Sequence, residues 1–349
     1  MNPFKHIGII GEGKMGTNLF YFLLDHGCFL RWICSGQAEI EKIRKTFLKR
    51  IFRAKDSGII TQAGYESLLN GTLINDNFEA ISDCDLVIEA VTEDISTKKE
   101  IFKDLVKLTR PGTIIASNSS SILPGKLLPS IEQAPFFLGL HFFYPVALKN
   151  IVEVITPESL STGSLDKIKD FLTFIDRRYI VLDENSAFIL NRIFLDFQNE
   201  AFLLAFQGKI SFARLDSVVR EHFFPVGVFE FFDSVGIDLM LTSIRNYVEH
   251  YLNRDHYSAL IGFLDQMVRK GHLGKKSSKG FYQYSGDQVI EPDFTELSRD
   301  VNTGEITEYL RFQFQGTVRR YTVQSGLSLV EMNEAIREYF SIEKGPFDF

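Results

Sequence analysis

The sequence predicts an α/β Rossmann-type dinucleotide-binding domain followed by an all-α C-terminal domain with a partial second helical repeat. Three observations carry this expectation. Apolar strand-like runs alternate with helical patterns from Lys5 to about Leu182, the signature of a parallel sheet covered by helices. Gly11-Glu12-Gly13-Lys14-Met15-Gly16 stands between the first strand and the first helix. From Ser186 the strand signal stops and long amphipathic helical patterns take over.

The elements follow in order. Phe4 to Ile10 reads as the first strand, Met15 to His26 as a helix and Phe29 to Cys34 as the second strand. A basic helix from Ile40 to Lys55 and another from Thr61 to Leu69 come next. Further strands are expected at Leu86 to Glu89, Thr113 to Ala116, Phe137 to Leu140, Ile151 to Ile155 and Tyr179 to Leu182. Helices are expected at Ser96 to Thr109, Leu165 to Asp176 and Ala187 to Phe206. The domain expectation is therefore residues 1–185 for the dinucleotide fold and 186–285 for the helical domain. A polar, acidic linker at 286–307 and a helical tail at 308–349 complete the chain. A length of 349 residues is consistent with more than one core.

The tail carries an internal repeat. Ser211, Ala213-Arg214, Asp216 and Val219-Arg220-Glu221-His222-Phe223 align with Ser328, Val330-Glu331, Asn333 and Ile336-Arg337-Glu338-Tyr339-Phe340. After a one-residue slip, Gly227-Val228-Phe229-Glu230-Phe231 matches Gly345-Pro346-Phe347-Asp348-Phe349. Shared helical periodicity alone could give part of this likeness; the matching Gly-x-Phe-acidic-Phe turn favours duplication.

Composition narrows the functional classes. The chain is 45% hydrophobic and 24% charged with a net charge of −7, which argues against a nucleic-acid partner. No apolar run reaches the roughly 18 to 20 residues of a membrane span, and no signal-peptide pattern opens the chain. Cys28, Cys34 and Cys84 sit in apolar runs, as expected of reduced thiols in the cytoplasm. No metal-ligand set is expected.

Several motifs carry chemistry. In G-x-G-x-x-G, glycines allow a tight turn and let the helix N-terminus approach a pyrophosphate. Gly11, Gly13, Lys14, Met15 and Gly16 are thus candidate cofactor contacts. The acidic ribose anchor usually found about 20 residues on is missing, for Cys34-Ser35 stand there. Ser35 and backbone could hold the ribose, the cofactor could carry a 2′-phosphate, or binding could be weakened.

His141 lies in Leu140-His141-Phe142-Phe143-Tyr144-Pro145, and Glu153 follows it by twelve residues in an alternating strand pattern. The short connection brings the pair together, either as a carboxylate-oriented general base or as a core histidine beside a structural glutamate. Glu93 closes another strand with Lys98 nearby, either cofactor contacts or a structural ion pair. Ser117-Asn118-Ser119-Ser120-Ser121 closes the next strand, as hydrogen-bond donors or as a turn. Seven cations between Lys42 and Lys55, Lys49 and Arg53 among them, suit a polyphosphate ligand or a solvated face.

Together these motifs resemble the 3-hydroxyacyl-CoA dehydrogenase family over roughly Lys5 to Tyr284. Val87 to Asp94, Ala116 to Ser121, Gly139 to Pro145, Leu190-Asn191-Arg192, Phe224 to Asp233 and Gly274 to Tyr282 extend the likeness. The resemblance implies an NAD cofactor, with NADP not excluded, and an acyl-CoA substrate. It implies His141 as base, Glu153 as its orienting group, and Ser120 and Asn191 as partners of the reacting oxygen or thioester carbonyl. It further assigns Glu93, Lys98, Ser35, Cys34 and Asn118 to the cofactor, and Lys49, Arg53, Ser120 and Tyr144 to the substrate. Dimeric members pair their helical domains and multifunctional relatives carry two copies, so a homodimer or a monomer with intramolecular repeat packing is expected.

Two departures stand out. The family usually has an acidic residue at Cys34 and an asparagine at Tyr144, so cofactor preference and acyl pocket are both expected to differ. A related sugar-acid dehydrogenase, reminiscent in Ser117 to Pro124, and a non-catalytic acyl-CoA or nucleotide binder are the competing readings.

Overall fold

The computed structural model describes residues 2–249, 254–286, 288–290 and 302–348. The chain divides into two compact units, Met1–Phe188 and Ile189–Phe349.

The first unit runs β1 (His6–Ile10), α1 (Lys14–Asp25), β2 (Phe29–Ile33), α2 (Gln37–Asp56), α3 (Gln62–Gly71), β3 (Leu73–Asn75) and β4 (Leu86–Glu89). It continues α4 (Ile95–Leu108), β5 (Ile114–Ser117), the short α5 (Pro124–Leu127), β6 (Phe137–Phe142), β7 (Ile151–Thr156), α6 (Thr162–Phe174) and β8 (Arg178–Asp183). The sheet order is β3-β2-β1-β4-β5-β6-β7-β8. Every neighbouring pair is parallel except β6 and β7. The expectation of a parallel sheet therefore fails at one point, and the reason is length: no crossover helix fits between Phe142 and Ile151. β3 was not expected because a three-residue edge strand is too short to show a period.

Buried side chains cover both faces of this sheet. On one face Phe20 stacks on Trp32 with ring centroids 4.3 Å apart. On the other, Phe102 meets Phe137 edge to face at 5.0 Å. The Trp32 indole N–H donates to the Gly11 carbonyl at 2.8 Å, so a core ring also holds the glycine turn.

The second unit comprises α7 (Ile189–Phe206), α8 (Phe212–His222), α9 (Val228–Val235), α10 (Ile237–Val248), α11 (Ser258–Arg269), a hairpin of β9 (Gln283–Ser285) and β10 (Gln288–Ile290), α12 (Thr303–Ser325) and α13 (Leu329–Phe340). The helix expected from Ala187 starts at Ile189, because Phe188 has φ 58°, outside the right-handed helical region. The linker expectation is also corrected. Gln288–Ile290 pairs with β9, and α12 begins at Thr303, where the Asn302 side chain accepts from the Gly304 and Glu305 N–H groups. Asp287 and residues 291–301, the rest of that stretch, lie outside the described residues.

The two halves of the repeat use matching devices. Ser211 caps α8 through Arg214 N–H, and Ser328 caps α13 through Glu331 N–H. Asp216 accepts from Phe229 and Glu230 N–H, both at 3.0 Å; Asn333 accepts from Phe347 N–H at 3.3 Å. A Cβ on Gly227 would lie 2.3 Å from Asp216, and one on Gly345 would lie 2.3 Å from Asn333. Both turns need glycine for the same close approach.

α12 packs along α7 with Phe314 5.4 Å from Phe197 and Arg192 4.9 Å over the Tyr321 ring. Arg320 and Tyr257 both bond the buried Asp196. From α13, Phe340 stacks on Phe224 at 4.1 Å and meets Phe194 at 4.8 Å. Phe340→Ala should therefore cost about 3 to 5 kcal/mol, read as a lower urea midpoint. Val330→Ala on the exposed face of the same helix should leave the midpoint nearly unchanged.

Candidate active site

The C-terminal ends of β1, β4, β5 and β6 line one edge of the sheet, where open α/β sheets take their ligands. β1 delivers the glycine turn. Gly11 has φ +104°, and a Cβ there would fall 2.9 Å from the Ala90 carbonyl oxygen. A Cβ on Gly16 would sit 2.1 Å from the Gly11 carbonyl oxygen, so α1 enters hard against the turn. Among the described residues, none beyond its chain neighbours comes within 4 Å of a Cβ built on Gly13. The first turn of α1 has no acidic residue, Lys14 is exposed, and Met15 packs on the apolar core. The open space at Gly13 and a first helical turn without an acidic residue suit a pyrophosphate.

At the end of β2 the expectation for Cys34 is corrected. Its side chain belongs to the apolar core, 2% exposed, rather than to a ligand cleft. Burial first, then the charges of Glu12 and Glu39, push this thiol up to about 12. Ser35 is exposed, and its N–H (3.1 Å) and hydroxyl both donate to Glu12 Oε1.

Glu93 collects four hydrogen bonds on Oε1, from Ser119 Oγ (2.6 Å), Ser120 N (3.1 Å), Ser121 N (3.0 Å) and Ser121 Oγ (2.8 Å). Lys98 Nζ stands 3.4 Å from its Oε2. Burial works against ionisation, but Lys98 and the serine donors outweigh it and hold the carboxyl below its usual range. Lys98, 1% exposed, also donates to Glu89 Oε1 at 2.6 Å. Glu89 in turn takes Val91 N–H at 2.8 Å and Ser117 Oγ at 2.9 Å. Lys98 is thus a buried bridge between two carboxylates. Sequence reasoning missed Glu89, although a carboxylate in a strand with four buried side chains was the available signal.

Asn118 is anchored at the end of β5. Its Oδ1 accepts from Phe142 N–H at 2.9 Å, which ties β5 to the strand carrying His141.

β6 and β7 place His141 directly opposite Glu153, with Nδ1 2.7 Å from Oε2. The two residues are 3% and 0% exposed. Opposite an ionised carboxylate, which only accepts, a neutral ring carries its proton on Nδ1 and its lone pair on Nε2. Phe143 (4.3 Å between centroids) and Phe188 (5.7 Å, edge to face) flank the imidazole. Phe188 holds its left-handed backbone at an expense of about 1 to 3 kcal/mol. Tyr144, immediately beyond, is 53% exposed.

In the helical unit, Asn191 donates through Nδ2 to Tyr247 Oη and accepts at Oδ1 from Tyr339 Oη, both at 2.9 Å. Neither tyrosine was expected at the site, Tyr339 having been read only as part of the repeat. Lys49 and Arg53, with Lys42, Lys45 and Arg50, line a cavity of about 1340 Å³ between α2 and its neighbours α1 and α3.

The glycine turn at the sheet's switch point and a histidine backed by a buried carboxylate define a dinucleotide-dependent dehydrogenase. Comparison with known proteins makes the assignment particular. The 3-hydroxyacyl-CoA dehydrogenase NAD binding domain matches residues 6–185, the family's C-terminal domain matches 188–284, and the chain belongs to that family. It is 28% identical over 289 residues to the 3-hydroxybutyryl-CoA dehydrogenase of Bradyrhizobium diazoefficiens, covering 82% of this chain and 97% of that one. The structure of (S)-3-hydroxybutyryl-CoA dehydrogenase from Ralstonia eutropha superposes with TM-score 0.72 at 27% identity, over 81% of this chain and 99% of that one. The dehydrogenase part of multifunctional enzyme 1 from C. elegans shares the fold over 96% of this chain and 78% of its own, with TM-score 0.62 and 19% identity. The protein is an oxidoreductase with NAD as its cofactor, and its family's reaction interconverts 3-hydroxyacyl-CoA and 3-oxoacyl-CoA. Among the described residues no helix is long and apolar enough to cross a membrane.

The lowered Glu93 pKa sets a pH dependence. Its contribution to stability is complete above the ordinary value of 4.5 and disappears as pH falls through the lower folded value. Glu93→Gln should therefore melt below wild type at neutral pH, with the gap in Tm closing on acidification. A gap that stays constant down to about pH 3 would contradict the ionised assignment.

Proposed function

We propose that His141 is the general base of the reaction and Glu153 its orienting partner. The carrying observation is the buried 2.7 Å bond that leaves Nε2 as the acceptor. In the oxidative direction His141 Nε2 takes the proton of the substrate 3-hydroxyl. Bound NAD supplies the acceptor for the hydride released from C3. The Glu153 carboxylate offsets the charge that the ring acquires, and Phe143 and Phe188 exclude water around it.

Ser120 and Asn191 are the proposed partners of the reacting oxygen or thioester carbonyl. Asn191 would act while its amide is held by Tyr247 and Tyr339. Lys49 and Arg53 are the proposed receivers of coenzyme A phosphates, supported by the cationic cavity they line. A short acyl group is the proposed substrate, supported by relatives named for 3-hydroxybutyryl-CoA and by Tyr144 standing where the family has asparagine. Three buried free thiols favour a reducing, cytoplasmic setting.

The test uses acetoacetyl-CoA and NADH, following loss of nicotinamide absorbance. His141→Gln should lower kcat by about 10²- to 10⁴-fold with little change in NADH affinity. An active His141→Gln ends the general-base assignment. Wild-type protein that binds coenzyme A without turnover would favour the non-catalytic reading.

The tail is proposed to be a partial second copy of the first helices, packed within the chain where dimeric relatives pair. The matched caps and glycine turns support this. Deleting residues 300–349 should lower Tm and change the oligomeric state seen by light scattering. A truncated protein unchanged in both would rule the proposal out.

A further inference from the structure

The family's acidic ribose anchor is missing from the end of β2, yet a carboxylate reaches that position from a different strand. Glu12 is the variable residue between Gly11 and Gly13 of the glycine turn. Its side chain crosses from the end of β1 to the end of β2, where Ser35 donates to Oε1 through both its N–H, at 3.1 Å, and its hydroxyl. The second oxygen, Oε2, takes no hydrogen bond from the described residues. Glu12 is half-buried, and the adjacent Gly13 Cβ position is open. The carboxylate is therefore oriented by protein on one oxygen and available on the other, beside the space that suits the pyrophosphate.

We propose that Glu12 is the ribose anchor of this enzyme, accepting from the adenosine 2′,3′-diol of NAD, with Ser35 as its positioning residue. A vicinal diol offers two O–H donors, and an ionised carboxylate is the acceptor that matches them. The same charge rejects a 2′-phosphate. Glu39, in the first turn of α2, adds a second carboxylate to this corner, and Lys42 is paired with it at 3.3 Å. Lys42 offsets the charge of Glu39, so discrimination against NADP rests on Glu12, and the loss of the β2 acid does not relax cofactor choice.

Glu12 also differs from a β2 anchor in how it is held. An acid at the end of β2 would stand on that strand alone, whereas Glu12 belongs to the phosphate-binding turn and depends on Ser35 for its direction. Cofactor preference is thereby tied to the contact between β1 and β2 rather than to one residue.

The test is direct binding, read by quenching of protein fluorescence and by calorimetry with NADH and with NADPH, independently of turnover. Wild-type protein should prefer NADH strongly. Glu12→Ala should weaken NADH by about 10- to 100-fold, the loss expected of a charged hydrogen-bonding group, while NADPH weakens less or tightens. Ser35→Ala should produce a smaller loss in the same direction, and Tm should hold in both variants. Three results would overturn the proposal: NADH affinity within threefold of wild type in Glu12→Ala, equal losses for NADH and NADPH, or a wild-type preference for NADPH.

Discussion

A buried ammonium organises the ligand edge of the sheet. Lys98 is almost fully enclosed, and such a charge persists only with partners, so two carboxylates must converge on it. Glu89 comes from β4 and Glu93 from the turn after it; Glu89 takes a donor from the last residue of β5 and Glu93 from the segment that follows. Asn118 in that segment binds the backbone next to His141. From Lys98 the polar contacts run through Glu89 and Glu93 to the serines of 117–121, and Asn118 in that stretch reaches the strand that carries His141. Such a network is rigid when every member is satisfied and costly when one is removed.

Charge pairing also explains where sequence reading succeeded. His141 and Glu153 were evident together because an alternating strand pattern and a short connection leave few ways to arrange them. Antiparallel pairing of β6 and β7 is what such a connection permits, and it sets the two residues in register. The Rossmann order was evident for the same kind of reason: a strand, three glycines and a helix admit one local geometry. Glu89 was not evident, because its partners are separated from it by 9 and 28 residues and become neighbours only in the sheet. Cys34 misled for a related reason. A residue's place at a strand end does not say to which side its thiol turns, and here the core claims it.

The helical unit shows what many of the 33 phenylalanines are for. Rings from α7, the segment after α8, α12 and α13 meet one another edge to face or stacked, around Phe194, Phe197 and Phe224. Aromatic area supplies much burial per residue at little rotamer entropy, which suits a core assembled from helices far apart in the chain. The polar contacts across it are few and specific. Arg320 and Tyr257 meet on Asp196, and Tyr309 and His256 meet on Glu200, so α12 is held in register along α7.

The two glycine turns of the repeat close their accounts differently. Asp216 draws on Tyr282, 66 residues further along, whereas Asn333 finds Asp348 at a separation of 15. The first turn is therefore complete only when the β9 region has returned to it, after most of the unit has been built. The second is satisfied by its own neighbours. Short loops close at little entropic expense, so α13 and its turn can organise as a local piece and then dock. The second turn thus has a near partner where the first has a distant one, which sets an early-folding turn beside a late-folding one.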